Sequence, residues 1–352
     1  MRLVKVLSLL CVLAALSVLG GSIPVSGQGG QTAKSALEIS LEMRRAQMPN
    51  DGEIHVVPVQ GNVSMLVGAG GNVAVQASAE GVMVVDTGTA QMSDKLLAAI
   101  KKLSDKPIRH VINTHFHPDH IGGNETISKA GSTTRGGVAE ILAHENVMNR
   151  VSAPVGKPGA TAPGAWPSNT YFPEEKDIFF NDEAVMFYHD ANAHTDGDTI
   201  VFFRRSDVVV AGDIFVTTSY PVIDAADGGS VQGVIAGLNR ILDLAVPKHE
   251  QEGGTMVIPG HGKISDESEV LEYRDMVVII KERIEDMVKR GMTVEQVKAA
   301  KPSLDYDLHY GAETGPWTTA MFIEAVYRDV SKAAATPAAG GAKSAPAPKG
   351  KK

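Results

Sequence analysis

Cysteine is almost missing from this chain of 352 residues. The single one, Cys11, lies inside a leading apolar run. Everything after residue 27 therefore lacks disulfides, thiolate nucleophiles and thiolate metal ligands. The leading run is short for a membrane anchor, which favours cleavage over an uncleaved anchor. Val6 to Leu19 is almost wholly apolar, whereas a spanning helix needs about 20 residues. It follows Arg2 and Lys5 and gives way to small and polar residues from Gly20 to Gly30. That three-part layout predicts a signal peptide over residues 1–27, cleaved near Gly27. Leu10 is bulky where a lipoprotein cleavage site takes a small residue, which argues against lipidation. The expectation is an exported protein, periplasmic or secreted from a bacterium, with no stable membrane insertion after cleavage. An oxidising compartment permits disulfides without requiring them.

Excess positive charge is also absent. The formal net charge is −8, and both ends are basic, through Arg2 and Lys5 at one and the lysines of 332–352 at the other. The body between them is thus more acidic than the whole. Phosphate backbones need the opposite sign, so a nucleic-acid partner is excluded and a small-molecule substrate is expected. Residues 332–352 are mostly Ala, Pro, Gly and Lys, which cannot bury a core and read as a disordered tail. Between the ends, a composition 43% hydrophobic and 21% charged suits a globular domain, and about 300 residues can supply its core.

The segment 28–51 reads as a linker with a leading helix over 33–47. Short β-branched runs at 54–59, 63–67, 73–76 and 82–86, separated by glycines and small residues, predict an antiparallel meander. An amphipathic helix is expected over 92–103, with Leu96, Leu97, Ile100 and Leu103 on one face. Strands at 109–112 and 139–143 follow. The segment 151–177 is rich in proline and glycine and reads as a long irregular loop, of a kind that often carries function. Strands at 185–188, 199–204, 207–211 and 255–258 resume the sheet. Helices are expected over 233–243, 267–290, 294–300 and 318–330.

The densest chemistry follows the strand 109–112. His115, His117, Asp119 and His120 occupy a span of six residues that runs into Gly122-Gly123. The two glycines are read as breaking regular structure, so the cluster is expected on a loop at a strand end. His115 and His117, two apart in an extended segment, project to one side. Imidazole and carboxylate are ligands for zinc and other borderline divalent metals. Three further strand ends carry a ligand-type residue beside glycine or another small residue: His194, Asp213 and His261. Each alone has a bland alternative, as a satisfied loop histidine or a turn aspartate.

The pattern His-x-His-x-Asp-His after an apolar strand resembles the metal motif of the metallo-β-lactamase fold superfamily. The resemblance covers most of residues 52–265, and only loosely the helices beyond, taken as a C-terminal extension from about 265 of a domain spanning 52–331. It implies an α/β (α+β) fold, a four-layer αββα sandwich. It implies that His115, His117 and His194 hold a first metal and Asp119, His120 and His261 a second. Asp213 takes the place of the bridging carboxylate of glyoxalase II-like members, which leans away from β-lactamases that put Cys or Ser there. The cofactor implied is zinc, two ions, with iron or manganese also compatible with the donor set. His115, His117 and Asp119 are then the catalytic residues. A hydroxide shared by the ions would attack an ester, thioester, lactone or β-lactam. A phosphodiesterase on the same site, a single-iron persulfide-type dioxygenase and a non-catalytic binding protein are the alternatives.

Asp86 and Asp198 are candidates for orienting ligand imidazoles, or else ordinary turn residues. His144 lies near the site in sequence but reads as structural. His55, His110, His189, His249 and His309 receive no role. The pocket is expected to draw on the 151–177 loop, on 217–221 and on 306–317, with Tyr220, Tyr310 and Trp317 as candidate aromatics for which packing is the favoured reading.

Overall fold

The computed structural model describes residues 51–153, 160–251 and 253–335. The leading segment with Cys11, nearly all of the 28–51 linker and the tail from 336 lie outside the described residues.

The first sheet opens as the expected meander. Strands β1 (His55–Gln60), β2 (Val63–Val67), β3 (Val73–Ser78) and β4 (Gly81–Val85) pair antiparallel in chain order. Helix α1 (Ser93–Leu103) then returns the chain so that β5 (Ile108–Ile112) lies parallel to β4. A single helical turn, α2 (Pro118–Ile121), and helix α3 (Asn124–Ala130) lead to β6 (Glu140–His144). Helix α4 (Glu145–Val151) and an irregular stretch lead to β7 (Asn169–Tyr171), and both added strands are parallel. The sheet order is β1-β2-β3-β4-β5-β6-β7. A strand covered on both faces should be apolar throughout, and every residue of β4 is buried.

The second sheet runs antiparallel through β8 (Glu175–Phe180), β9 (Glu183–His189), β10 (Thr199–Phe203) and β11 (Val208–Val210). Helix α5 (Val231–Leu244) carries the chain to β12 (Met256–Ile258), parallel to β11, and β13 (Ser265–Asp266) closes the edge. Helices α6 (Glu267–Lys289), α7 (Val294–Ala300), α8 (Leu304–Tyr310) and α9 (Thr319–Ala335) follow.

Three apolar layers make this a four-layer sandwich. Val63, Met65, Met83, Ile112 and Leu142 of the first sheet meet Phe187, Val201, Phe203, Val210 and Ile258 of the second. Leu96 and Ile100 of α1 cover the other face of the first sheet. On α5, Val231, Val234, Leu238 and Ile241 recur at helical spacing, so one stripe faces the second sheet. Val270, Met276, Val277 and Ile280 of α6 and Phe322 and Val326 of α9 share that core. The helices after 265 are thus part of the outer layer.

Four expectations are corrected. The segment 151–177 is not irregular throughout, since β7 and the start of β8 lie within it. Helices α3 and α8 went unanticipated, each only seven residues long. Residues 332–335, assigned to the tail, continue α9. The cluster is not wholly on a loop: the break expected at Gly122-Gly123 is there, between α2 and α3, but Asp119 and His120 lie on the helical turn α2 before it. The two glycines also permit close approach. A Cβ on Gly122 would lie 2.4 Å from the Ala90 nitrogen, and one on Gly123 2.4 Å from the Thr87 oxygen.

A buried polar knot ties the sheets together at one end of the sandwich. The Glu183 carboxylate accepts from Gln76 Nε2 at 2.6 Å, from the backbone nitrogens of Arg205 and Ser206 at 2.9 and 3.0 Å, and from Ser206 Oγ at 2.7 Å. Removing that acceptor leaves Gln76 Nε2 and the Ser206 nitrogen without it in the interior. Glu183→Ala is expected to lower the free energy of unfolding by about 3 kcal/mol in urea denaturation; a loss under about 1 kcal/mol would show the knot to be dispensable.

Candidate metal centre

Strands β4, β5, β11 and β12 end on the side of the sandwich opposite the Glu183 knot, and their following turns converge there. Asp86 follows β4, His115 and His117 follow β5, and Asp119 and His120 sit on α2. His194 comes from the loop after β9, Asp213 from the turn after β11 and His261 from the turn after β12. The structure brings together all seven residues singled out as metal ligands. They form three overlapping groups that could each hold an ion: His115, His117 and His194; His115, His120 and Asp213; and Asp119, His120 and His261.

The distances show how tight the cluster is. His194 Nε2 lies 2.9 Å from His117 Nδ1, and His120 Nε2 lies 3.3 Å from His261 Nε2. Asp213 stands between the two sets, with Oδ1 3.3 Å from His120 Nε2 and Oδ2 3.7 Å from His194 Nε2. Asp119 Oδ2 is 3.2 Å from His261 Nε2. Two of these atoms, His115 Nε2 and Asp213 Oδ1, are buried with no hydrogen-bond partner. Buried polar atoms are nearly always satisfied, so this pair fits a metal-binding role. The donor set is all imidazole and carboxylate, which suits zinc, manganese or iron.

Four of the five imidazoles are steered through their other nitrogen. Thr114 Oγ1 is 3.0 Å from His115 Nδ1, and Asp86 Oδ2 is 2.8 Å from His120 Nδ1. Asp86 also accepts from Thr114, at 2.8 Å from its nitrogen and 2.7 Å from its hydroxyl. Its backbone is left-handed, with φ 62°. The Val222 carbonyl is 2.7 Å from His194 Nδ1, and Asp224 Oδ2 is 3.1 Å from His117 Nε2. Such outer contacts fix ring orientation and ligand basicity. Farther out, Asn72 Nδ2 donates to the carbonyls of Pro259 and Gly262, either side of His261, at 2.8 and 3.0 Å.

The charges are mutually dependent. Burial opposes charge on His120, but the carboxylates of Asp213 and Asp86 outweigh it and hold the imidazole well above its ordinary pKa. Burial would raise Asp213, yet His120 and His261 pull it well below the carboxylate range. Burial also acts upward on Asp119, and the hydrogen bond from His261 leads the opposing effects that bring it down to about 2. For His115, burial dominates and lowers the pKa well below the usual value.

The subsidiary residues divide between changed and retained readings. The Asp198 carboxylate orients no ligand imidazole; it accepts from the Thr195 nitrogen at 2.7 Å and the Thr195 hydroxyl at 2.8 Å, shaping the loop that carries His194. His144 stacks on His189, ring centroids 3.5 Å apart, away from the cluster. Tyr220 is packing: its ring stacks on Phe322 and its hydroxyl donates to Ser303 O and Asp307 Oδ1. Tyr310 and Trp317 pack against the same helical core. The roles of Asp224 and Thr114 went unread. Thr114 adjoins His115 in sequence, but Asp224 reads locally as a turn residue, and it does cap the short turn Ala225–Asp227.

A family model described as the metallo-beta-lactamase superfamily matches residues 66–263. A linear primary-alkylsulfatase of Pseudomonas sp. (strain ATCC 19151) is 41% identical over 73 residues, 20% of this chain and 14% of that protein. A type 2 metallo-beta-lactamase of Bacillus cereus is 22% identical over 209 residues, 58% of this chain and 72% of the relative. Among solved structures, a stereoselective inverting sec-alkylsulfatase from Pseudomonas sp. aligns with a TM-score of 0.59 at 16% identity, covering 78% of this chain. This chain spans 50% of that structure's length. A metallo-beta-lactamase from Pontibacter korlensis aligns with a TM-score of 0.50 at 17% identity, over 64% of this chain and 99% of that one. At these identities the structural matches speak for the fold.

Asp86→Ala removes the acceptor that aims His120. It is expected to weaken divalent-metal affinity about 10–100-fold, measured by chelator competition on protein whose melting temperature is followed in parallel. Unchanged affinity would leave Asp86 a turn residue only.

Proposed function

The chain belongs to the metallo-beta-lactamase superfamily, and on that premise we propose that it is a hydrolase working with two divalent metal ions, zinc in the first instance. His115, His117 and His194 would hold one ion, Asp119, His120 and His261 the other, and Asp213 would lie between them. The observation that carries this reading is a convergent set of seven donors in which His115 Nε2 is buried with no hydrogen-bond partner and Asp213 Oδ1, likewise without one, faces the imidazoles of His120 and His261. Two ions bound there would acidify a water and polarise the bond to be cleaved.

The protein's own residues supply orientation. Asp119 and His261 are the most accessible of the seven, with side chains 38% and 31% exposed, whereas His120 and His194 are 0% and 1% exposed. Substrate therefore approaches over Asp119 and His261. Asp119 is ionised at neutral pH, since its pKa is brought down to about 2, so its carboxylate can accept a hydrogen bond from the attacking water and aim it. Asp86, Thr114, Val222 and Asp224 keep the imidazoles aligned while bonds change.

For the substrate, an ester, thioester, lactone or β-lactam is the first reading. Sulfate-ester cleavage is the second, favoured by the alkylsulfatase relatives, one of which shares 41% identity over 73 residues. Export is part of the proposal and rests on the basic, apolar and small-residue succession of residues 1–30.

Metal analysis of the purified protein, with a panel of chromogenic esters, thioesters, lactones, a cephalosporin and an alkyl sulfate, tests the reading. The expected result is two divalent ions per chain and turnover of one class. Asp119→Ala should cut kcat by about 10²–10⁴-fold. A single iron with oxygen uptake would replace the hydrolase with an oxygenase. No metal and no turnover would leave a binding protein.

A further inference from the structure

We infer that Arg150 is a positioning residue of the His115, His117 and His194 pocket. Its guanidinium joins the turn that steers His117 to the loop that carries His194. The inference rests on the metal-binding reading above and adds a residue that lies outside the ligand motifs.

Arg150 is on α4, and the two arms of its guanidinium go to different loops. Nη2 donates to Asp196 Oδ2 at 2.7 Å, and Nη1 donates to Asp227 Oδ1. Asp196 stands two residues after His194, and Asp227 three residues after Asp224. A fork of fixed geometry reaching two carboxylates sets the distance between them, which the single point charge of lysine does not. The guanidinium carbon also lies 5.9 Å from the ring centroid of buried Phe116, the residue just before His117. One side chain thus reaches the neighbourhoods of two of the three imidazoles in this pocket.

The two loops are built to seat on each other. The Asp196 nitrogen donates to the Asp227 oxygen at 2.9 Å, and the Asp224 nitrogen to the His194 oxygen at 3.0 Å. Gly228 has φ 91°, and a Cβ there would fall 2.7 Å from Asp196 Cβ. The Asp227 nitrogen donates back to Asp224 Oδ1 at 3.2 Å, while Asp224 Oδ2 faces His117 Nε2 at 3.1 Å. The relay therefore runs from Arg150 through Asp227 to Asp224 and His117, and through Asp196 to the His194 loop. No comparable link from Arg150 reaches Asp119, His120 or His261 among its hydrogen bonds and ion pairs. Losing the fork should loosen one ion and spare the other.

The test follows zinc release from the full-length, zinc-loaded protein during chelator titration, read with a zinc-indicator dye, with melting temperatures alongside. The variants are R150M, R150K, D224N and the R150M/D224N double variant, with His194→Ala marking which ion is which. The wild type should release two ions. R150M should release the ion marked by His194→Ala about 10–100-fold more readily, with the other unchanged. R150K, with one arm of the fork lost, should fall between. D224N should affect the same ion, and the double variant should add nothing further. A wild type without releasable zinc would sink the metal-binding reading itself. A two-ion wild type with R150M and R150K both unchanged overturns the inference alone. So does loss of both ions together, or losses that add in the double variant, since either would make Arg150 a general stabiliser. Should R150M fail to fold, R150K and D224N decide the question by the same criteria.

Discussion

Everything at the open end of the sandwich depends on keeping five imidazoles and two carboxylates within a few ångströms of one another while most are out of water. Desolvating charge is costly unless it is compensated. Burial works against charge on His120, which is 0% exposed, and the carboxylates of Asp213 and Asp86 oppose that effect; burial likewise works against charge on Asp213, and His120 and His261 oppose it. A cluster of this kind has no apolar substitute. Neutralising one member alters its neighbours, and a divalent cation is the natural counterweight to the carboxylates and the partnerless His115 Nε2.

The fold answers that demand with rigidity from below and steering from outside. Strands covered on both faces deliver their ends to one rim, and no donor depends on a long flexible connection: Asp213 lies three residues past the end of β11 and His261 three past β12. The glycine pair 122–123 lets α2 press against residues 87–90 without lengthening the loop. Around the donors lies a ring of hydrogen bonds accepted by Asp86, Thr114, Val222 and Asp224. The opposite end of the sandwich is tied by Glu183, so the rim is free of the work of holding the sheets together.

Much of this was legible one-dimensionally. The meander, the central strands and the amphipathic helices α1, α5 and α6 follow from alternation, from apolar runs and from the spacing of buried residues, all local properties. The short pieces were legible unevenly: the seven-residue helix α7 and the three-residue strands β11 and β12 were expected, whereas α3, α8 and β7 were not, since so few positions show a period only weakly. The glycines were legible in part. Gly122-Gly123 does interrupt regular structure, and only the neighbours in space, Ala90 for Gly122 and Thr87 for Gly123, show that the pair is also a contact point.

Residue type and spacing by themselves determined the chemistry at hand: seven nitrogen and oxygen donors, no thiolate after residue 27, and a preference for borderline divalent metals. The His-x-His-x-Asp-His run is compact enough that its meaning survives without coordinates. Only the tertiary structure decided how those donors are grouped, which nitrogen of each imidazole faces inward, and which outsiders steer them. Asp224 is 107 residues from His117, and Arg150 is 46 from Asp196 and 77 from Asp227. Contacts across such separations are set by how sheets and loops pack, and a chain read in order carries no trace of them.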